Sequence, residues 1–195
     1  MSVKGKSGDS REQLLQLAEA LFGERGYTSV TLRDIADAFK VRQAALYYHF
    51  PGGKEELFVE VIKRSLMRHL DGLNRAVSQA EPNLSSQLNR MADWLLAQPP
   101  LDMTRLARSD LPALSQDHAQ VLMELGDASL VKPIQQVLTQ AYERGEIRLV
   151  DSKLMATMFL SLIDTAHDMH RYKNIPKQVL AKDMIDILLD GMHRR

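Results

Sequence analysis

The 195-residue sequence predicts an all-α fold, with an N-terminal tri-helical helix-turn-helix domain over residues 1–54 and a larger helical domain over 55–195, about nine helices in all. Three observations carry this. Apolar residues recur at intervals of three, four and seven along most of the chain, the period of an amphipathic helix. Alternation with period two never persists over the length of a strand. Capping residues and Gly or Pro stops cut the pattern into short helices near the N-terminus and longer ones beyond.

Ser10-Arg-Glu-Gln13 has capping-box spacing, Leu14, Ala18, Leu21 and Phe22 follow on one face, and Gly26 supplies a stop, which defines the first helix. Thr31-Leu-Arg-Asp34 is a second cap, opening a helix of about two turns with Leu32, Ile35, Ala36 and Phe39 on its apolar side. A third short helix runs from Arg42 to Phe50 and ends at Pro51-Gly52-Gly53. The fourth begins at Lys54 and carries Leu57, Phe58, Val61, Ile62 and Leu66 on one stripe, long enough to join the two domains. After Glu81-Pro82, Leu84, Leu88, Met91 and Leu95 keep helical register until Pro99-Pro100. Further helices read as Leu101 to Arg108, Gln116 to Ala128, Pro133 to Arg144, Ser152 to Arg171 and Pro176 to His193, punctuated by Gly145, Asn174 and Pro176.

Composition excludes several function classes. With no cysteine, disulfides, thiolate metal sites and cysteine nucleophiles are ruled out, and a reducing, cytoplasmic setting is expected. No apolar run reaches the 18 or so residues of a membrane span. No nucleophile with a base, paired carboxylates or phosphate-cradling loop has a recognisable spacing, so no catalytic residue, metal or cofactor is expected. Formal net charge is zero, but residues 1–54 hold eight Lys/Arg against six Asp/Glu, a net of +2. That polarity has the sign nucleic acid requires, but it is too small to decide the matter.

The third helix is more informative. If Leu46 and Phe50 pack inward, Arg42, Gln43, Ala44, Tyr47 and Tyr48 lie on its outer and leading surfaces, with His49 beside them. Arg42 can donate a fork to guanine or phosphate, Gln43 can pair with adenine, and the Ala44 methyl can meet a thymine methyl. The tyrosines can bond phosphates. Thr31 and the free N–H groups at the start of the second helix, with Lys54 at the fourth, can clamp phosphates on either side, and Arg33 beside the cap either joins the set or only solvates its helix. These nine residues are the candidate DNA-binding set, and double-stranded DNA is the expected partner. A carrier that kept a helical body without binding DNA is the competing class, and the intact caps and polar third helix argue against it.

At these residues the sequence resembles the TetR/AcrR family of bacterial regulators. Ala18-Glu-Ala-Leu-Phe-Gly-Glu-Arg-Gly-Tyr27, Thr31-Leu-Arg-Asp-Ile-Ala36, Leu46-Tyr-Tyr-His-Phe50 and Lys54-Glu-Glu-Leu57 carry the likeness, over about 45 residues. The resemblance implies a homodimeric transcriptional regulator, usually a repressor, that leaves a palindromic operator when a small-molecule effector binds. Two features depart from the family pattern. Lys40 stands where the family usually has Gly, and a left-handed residue there would cost about 1–2 kcal/mol, so the turn is either strained or shaped differently. The loop Phe50-Pro-Gly-Gly-Lys54 is also one residue longer, which shifts the fourth helix relative to the phosphates.

In the larger domain Met91, Trp94, Met123, Met155, Met158 and Phe159 offer adaptable apolar volume for an effector pocket. Leu162, Ala166, Leu180, Met184, Ile187 and Leu188 form stripes on the last two helices and are the candidate dimer interface. Asp164, His167, Asp168 and His170 are expected to be polar edges of that interface rather than metal ligands, and Arg105, Arg108 and Asp110 are expected to be surface charge.

Overall fold

The computed structural model of the chain describes residues 4–99 and 102–192. Pro100, Leu101 and His193, where the sequence pattern places a break, a helix start and a helix end, lie outside the described residues. The fold is all-α as expected, with no β-strand among the described residues. The helices are α1 (Lys4–Arg25), α2 (Leu32–Phe39), α3 (Gln43–His49), α4 (Gly53–Ser78), α5 (Leu84–Ala97), α6 (Met103–Arg105), α7 (Gln116–Gly126), α8 (Lys132–Glu143), α9 (Ser152–Lys173) and α10 (Lys177–Met192). None of the helices described is long and apolar enough to cross a membrane.

These residues form two compact units, 4–65 with 102–124, and 66–99 with 125–192. The division differs from the linear split after Lys54. The first half of α4 and the stretch around α6 and α7 join the N-terminal helices, because Leu57, Phe58, Val61, Leu106, Leu111 and Leu122 are buried within that unit. In the same core Leu14, Ala18 and Phe22 of α1 recur every four residues, with Ile35 of α2 and Leu46 and Phe50 from α3 and its end. Arg64 donates to Glu12 at 2.5 and 2.6 Å, and Arg11 lies 3.4 Å from Glu60, so ion pairs hold α1 beside α4 at the surface. The first helix starts at Lys4 rather than near Ser10, which leaves the Ser10-x-x-Gln13 pattern inside a helix already under way.

The second unit packs Leu66 and Leu73 of α4, Leu88 and Met91 of α5, Ile134 and Leu138 of α8, Phe159 and Ile163 of α9, and Ile185 and Leu189 of α10. Trp94 lies against Gly72, where a Cβ would come within 1.8 Å of its Cε2, so only glycine admits the indole there. The expected break between Ala128 and Pro133 is absent. A π-helical turn, Asp127–Val131, carries α7 into α8 and widens the helix just where Pro133 lacks a donor and its ring would meet the carbonyl four residues earlier.

Lys40 resolves the choice left open at the α2–α3 turn. It is left-handed, with φ 59° and ψ 40°. Its N–H reaches back to Ala36 and Asp37, and Val41 N–H donates to Ala36 O at 2.9 Å, a Schellman closure that requires this conformation. The strain of about 1–2 kcal/mol exceeds glycine's extra chain entropy of about 0.5–1 kcal/mol. Lys40→Gly is therefore expected to stabilise the protein by roughly 0.5–1 kcal/mol, read as a higher urea midpoint; an unchanged or lower midpoint would contradict it.

Candidate nucleic-acid interface

Helix α3 is too short to persist alone, and it is held by what it buries. Leu46 and Phe50 are each 1% exposed, and the Arg11 guanidinium lies 5.1 Å from the Phe50 ring centre. Arg42, Gln43 and Ala44 are exposed at its leading end, Tyr47 is 47% and Tyr48 82% exposed, and His49 is half-buried edge-on to Tyr48. One short helix and its N-cap thus expose a guanidinium, an amide, a methyl and two phenols.

The flanking residues behave differently from one another. Thr31 caps α2 as expected: its hydroxyl accepts from Asp34 N–H at 3.1 Å and donates to Asp34 Oδ2 at 2.7 Å, while Thr31 N–H donates to the same oxygen at 2.8 Å. Those bonds hold the Asp34 carboxyl below the ordinary carboxylate range. Thr31 therefore spends its hydroxyl proton inside the protein and keeps only its exposed surface for a partner. Arg33 is exposed beside Asp37 at 3.8 Å, an i,i+4 pair worth little in water.

Lys54 departs from expectation. From the first turn of α4 the side chain turns inward, donating from Nζ to Tyr27 O at 2.9 Å with Nζ 4.1 Å from the Tyr27 ring centre. Burial lowers its pKa, and the nearby Asp110 charge opposes that shift. It braces the turn after α1 and is withdrawn from the phosphate-contacting set.

The stretch after Asp102, expected to be surface charge, supplies further braces. Asp110 is 3% exposed, and its Oδ1 accepts from Tyr27 N–H at 2.9 Å. Arg105 donates to Phe22 O and Gly23 O at 3.1 and 2.7 Å, with Nε 3.6 Å from Asp110 Oδ2. Only Arg108 is exposed as expected. Glu55, in the first turn of α4, accepts from Ser115 N–H at 2.8 Å and lies 2.7 Å from His118 Nδ1. Hydrogen bonds from Ser115 and His118 hold its carboxyl down at about 2.

The expected pocket residues differ in exposure. Met91 and Phe159 are core, Trp94 and Met155 are half-buried, and Met123 and Met158 are exposed, with Met123 in the first unit and the rest in the second. None of them borders a cavity of about 650 Å³ between Asn83, Leu84, Glu146 and the Asp186–Asp190 turn of α10. The candidate dimer set also divides. Ala166 and Leu180 are buried within the chain, Leu162, Met184 and Leu188 are half-buried, and Ile187 is 73% exposed. The stripes are wide enough that one edge closes the chain's own core. Among the described residues no three His, Asp or Glu side chains converge as metal ligands would.

Two family models match the sequence. Residues 14–61 fit "Bacterial regulatory proteins, tetR family", and residues 82–190, more than half of the chain, fit "AefR-like transcriptional repressor, C-terminal domain". The chain belongs to the TetR family. Among curated relatives, this TetR-family chain is 30% identical over 126 residues to the HTH-type transcriptional repressor KstR2 of Mycobacterium tuberculosis, which covers 65% of the chain and 54% of KstR2. It thus spans about half the length of that relative. Among solved structures it is similar to the TetR family transcriptional regulator PfmR from Thermus thermophilus, with TM-score 0.71 and 27% identity over 93% of this chain and 99% of PfmR. A structure of AibR with isovaleryl coenzyme A and operator DNA shares the fold, with TM-score 0.76 at 18% identity over 92% and 98% of the two chains.

Sequence reasoning missed the three braces Arg105, Asp110 and Glu55, whose partners lie 60 to 83 residues away. Glu55 also sets a pH dependence. Its folded pKa is depressed, so its contribution is full above the ordinary value near 4.5 and is lost as pH falls through about 2. The gap in thermal midpoint between wild type and Glu55→Gln is expected to be widest near neutral pH and to close between about pH 4.5 and 2. A gap that is constant across that range would show that the carboxylate charge contributes nothing.

Proposed function

We propose that the protein is a sequence-specific DNA-binding transcriptional repressor that works by binding rather than catalysis, as a homodimer on a palindromic operator from which a small-molecule effector releases it. The observation that carries the reading is α3, where Arg42, Gln43, Ala44, Tyr47 and Tyr48 are exposed together on a helix anchored by Leu46 and Phe50. Family membership and the repressors among the relatives support it, and the AibR complex supports a ligand and DNA on one such fold.

In this reading Arg42 and Gln43 read base edges, Ala44 meets a thymine methyl, and Tyr47, Tyr48, His49 and Arg33 contact the backbone or sugar rims. Duplexes selected from a random pool by the wild-type protein give the operator, and its symmetry tests the dimer. Arg42→Ala and Gln43→Ala are each expected to relax preference at particular base pairs, by about 1–3 kcal/mol where the contact is bidentate. Tyr47→Phe should weaken all duplexes alike. Retention of full sequence preference by both Arg42→Ala and Gln43→Ala would remove α3 from base readout.

The dimer reading rests on α9 and α10, where Leu154, Met158, Tyr172, Val179 and Ile187 are exposed although their helices already bury a core face. A two-fold pairing would cover that surface together with half-buried Leu162, Met184 and Leu188. Ile187→Glu is expected to yield a monomer by sedimentation at micromolar concentration, with helix content kept and operator affinity lost. A wild-type monomer that binds operator at full strength would end the dimer reading.

A further inference from the structure

We infer that Arg105 and Asp110 are positioning residues for DNA binding, fixing the turn between α1 and the helix-turn-helix from a stretch of sequence that belongs to the C-terminal domain. The inference rests on the proposed DNA-binding function. Both residues fall inside the C-terminal family match at 82–190, yet they pack in the same compact unit as α1, α2 and α3.

The grip is specific. Arg105 Nη2 caps the carbonyl end of α1 at Phe22 O and Gly23 O, and Asp110 Oδ1 takes the Tyr27 N–H. Lys54 holds Tyr27 O from the other side, so both polar groups of the Tyr27 backbone are bound. The Tyr27 ring packs 4.8 Å from that of Phe58. Gly26, left-handed at φ 79°, passes so close that a Cβ there would lie 3.1 Å from Arg105 Cδ and 3.2 Å from Asp110 Oδ1. Four residues after Tyr27 comes Thr31, the cap that starts α2. The direction in which the chain leaves α1, and hence the placement of α2 and α3, is therefore set by side chains about 80 residues downstream.

The local backbone is built for this grip. Leu106–Asp110 is a π-helical turn closed by Leu111 N–H to Leu106 O, followed by a 3-10 turn, Leu111–Ala113. In an α-helix, residues five apart point about 140° away from each other. The wider turn brings Arg105 and Asp110 onto one side, where they face the same target and each other at 3.6 Å. A buried carboxylate is costly without partners, and an apolar side chain would fill the same volume. What the charged pair adds is orientation, since its bonds to Phe22, Gly23 and Tyr27 are satisfied in one arrangement of the turn.

The test uses the full chain, with a duplex selected by the wild-type protein and an unrelated duplex of equal length. In Asp110→Ala the Tyr27 amide is expected to exchange about tenfold faster or more, as for loss of one hydrogen bond to a charged group. Affinity for the selected duplex should fall about tenfold, while affinity for the unrelated duplex changes by less than about twofold. Asp110→Asn keeps an acceptor for Tyr27 and should recover most of the selectivity, which a merely destabilising loss of packing would not predict. Should Asp110→Ala fail to fold, Arg105→Met, which removes the cap on Phe22 and Gly23, is read in the same way. A folded Asp110→Ala or Arg105→Met protein with wild-type Tyr27 exchange and wild-type selectivity overturns the inference alone. A wild-type protein that selects no duplex overturns the proposed function and this inference together.

Discussion

The burial of Leu46 and Phe50 is the constraint on which the rest of the N-terminal unit depends. Seven residues give about two turns of helix, and an isolated segment of that length is not stable in water. Helix α3 exists because those two side chains are buried in a unit that also buries Leu14, Ala18 and Phe22 of α1, Ile35 of α2, and Leu57, Phe58 and Val61 of α4. Fixing the inward pair also fixes the outward set. With Leu46 and Phe50 inside, the 100° step between helical residues turns Tyr48 outward and Tyr47 to the flank, while Arg42 and Gln43, on the same side as the inward pair, are exposed because they stand at the open leading end of the helix. The same side chains that stabilise the helix thus determine which atoms it presents.

Apolar burial is non-directional, and it does not specify the angle at which α1 hands the chain to α2. That angle is set by polar contacts around Tyr27, where Lys54, Arg105 and Asp110 satisfy backbone groups that the end of a helix leaves open. Glu55 adds a second tie between the start of α4 and Ser115 and His118. Lys40 contributes the remaining fixed angle, between α2 and α3, at the expense of a left-handed backbone. The unit therefore combines a small apolar core that holds the helices together with a few directional bonds that hold them in register.

How much of this was legible in the sequence depended on the range of the interaction. Thr31-x-x-Asp34 predicts its own helix start because donor and acceptor lie three residues apart, and the alternation of Leu46 and Phe50 with exposed Tyr47 and Tyr48 follows from helical period alone. Lys54, Arg105 and Asp110 were misread because a charged side chain near a helix end has the same local pattern whether it faces solvent or a backbone group 27 or 83 residues away. In the second unit the stripes on α9 and α10 were visible, but not which edge of each stripe the chain keeps. Ala166 and Leu180 go to its own core and Ile187 remains outside. Nor does residue type foretell the burial of a methionine, since Met91 fills the core and Met123 lies exposed in the other unit.

The size of α3 bears on why the exposed edge of α9 and α10 matters to the proposed function. A helix of seven residues is about 10 Å long and reaches only a few base pairs, each good contact contributing about 1–3 kcal/mol of discrimination. Selecting one operator within a genome requires about 4–10 kcal/mol over non-specific DNA, which the few contacts available to Arg42, Gln43 and Ala44 meet only if each lies near the top of its range. Nor does bulk charge compensate, because the chain is neutral overall and residues 1–54 carry a net of only +2. Two such helices related by a two-fold axis double the contacts and add the constraint of half-site spacing. The apolar surface at Leu154, Met158, Val179 and Ile187, which the chain does not use for its own core, is where such a pairing would be made.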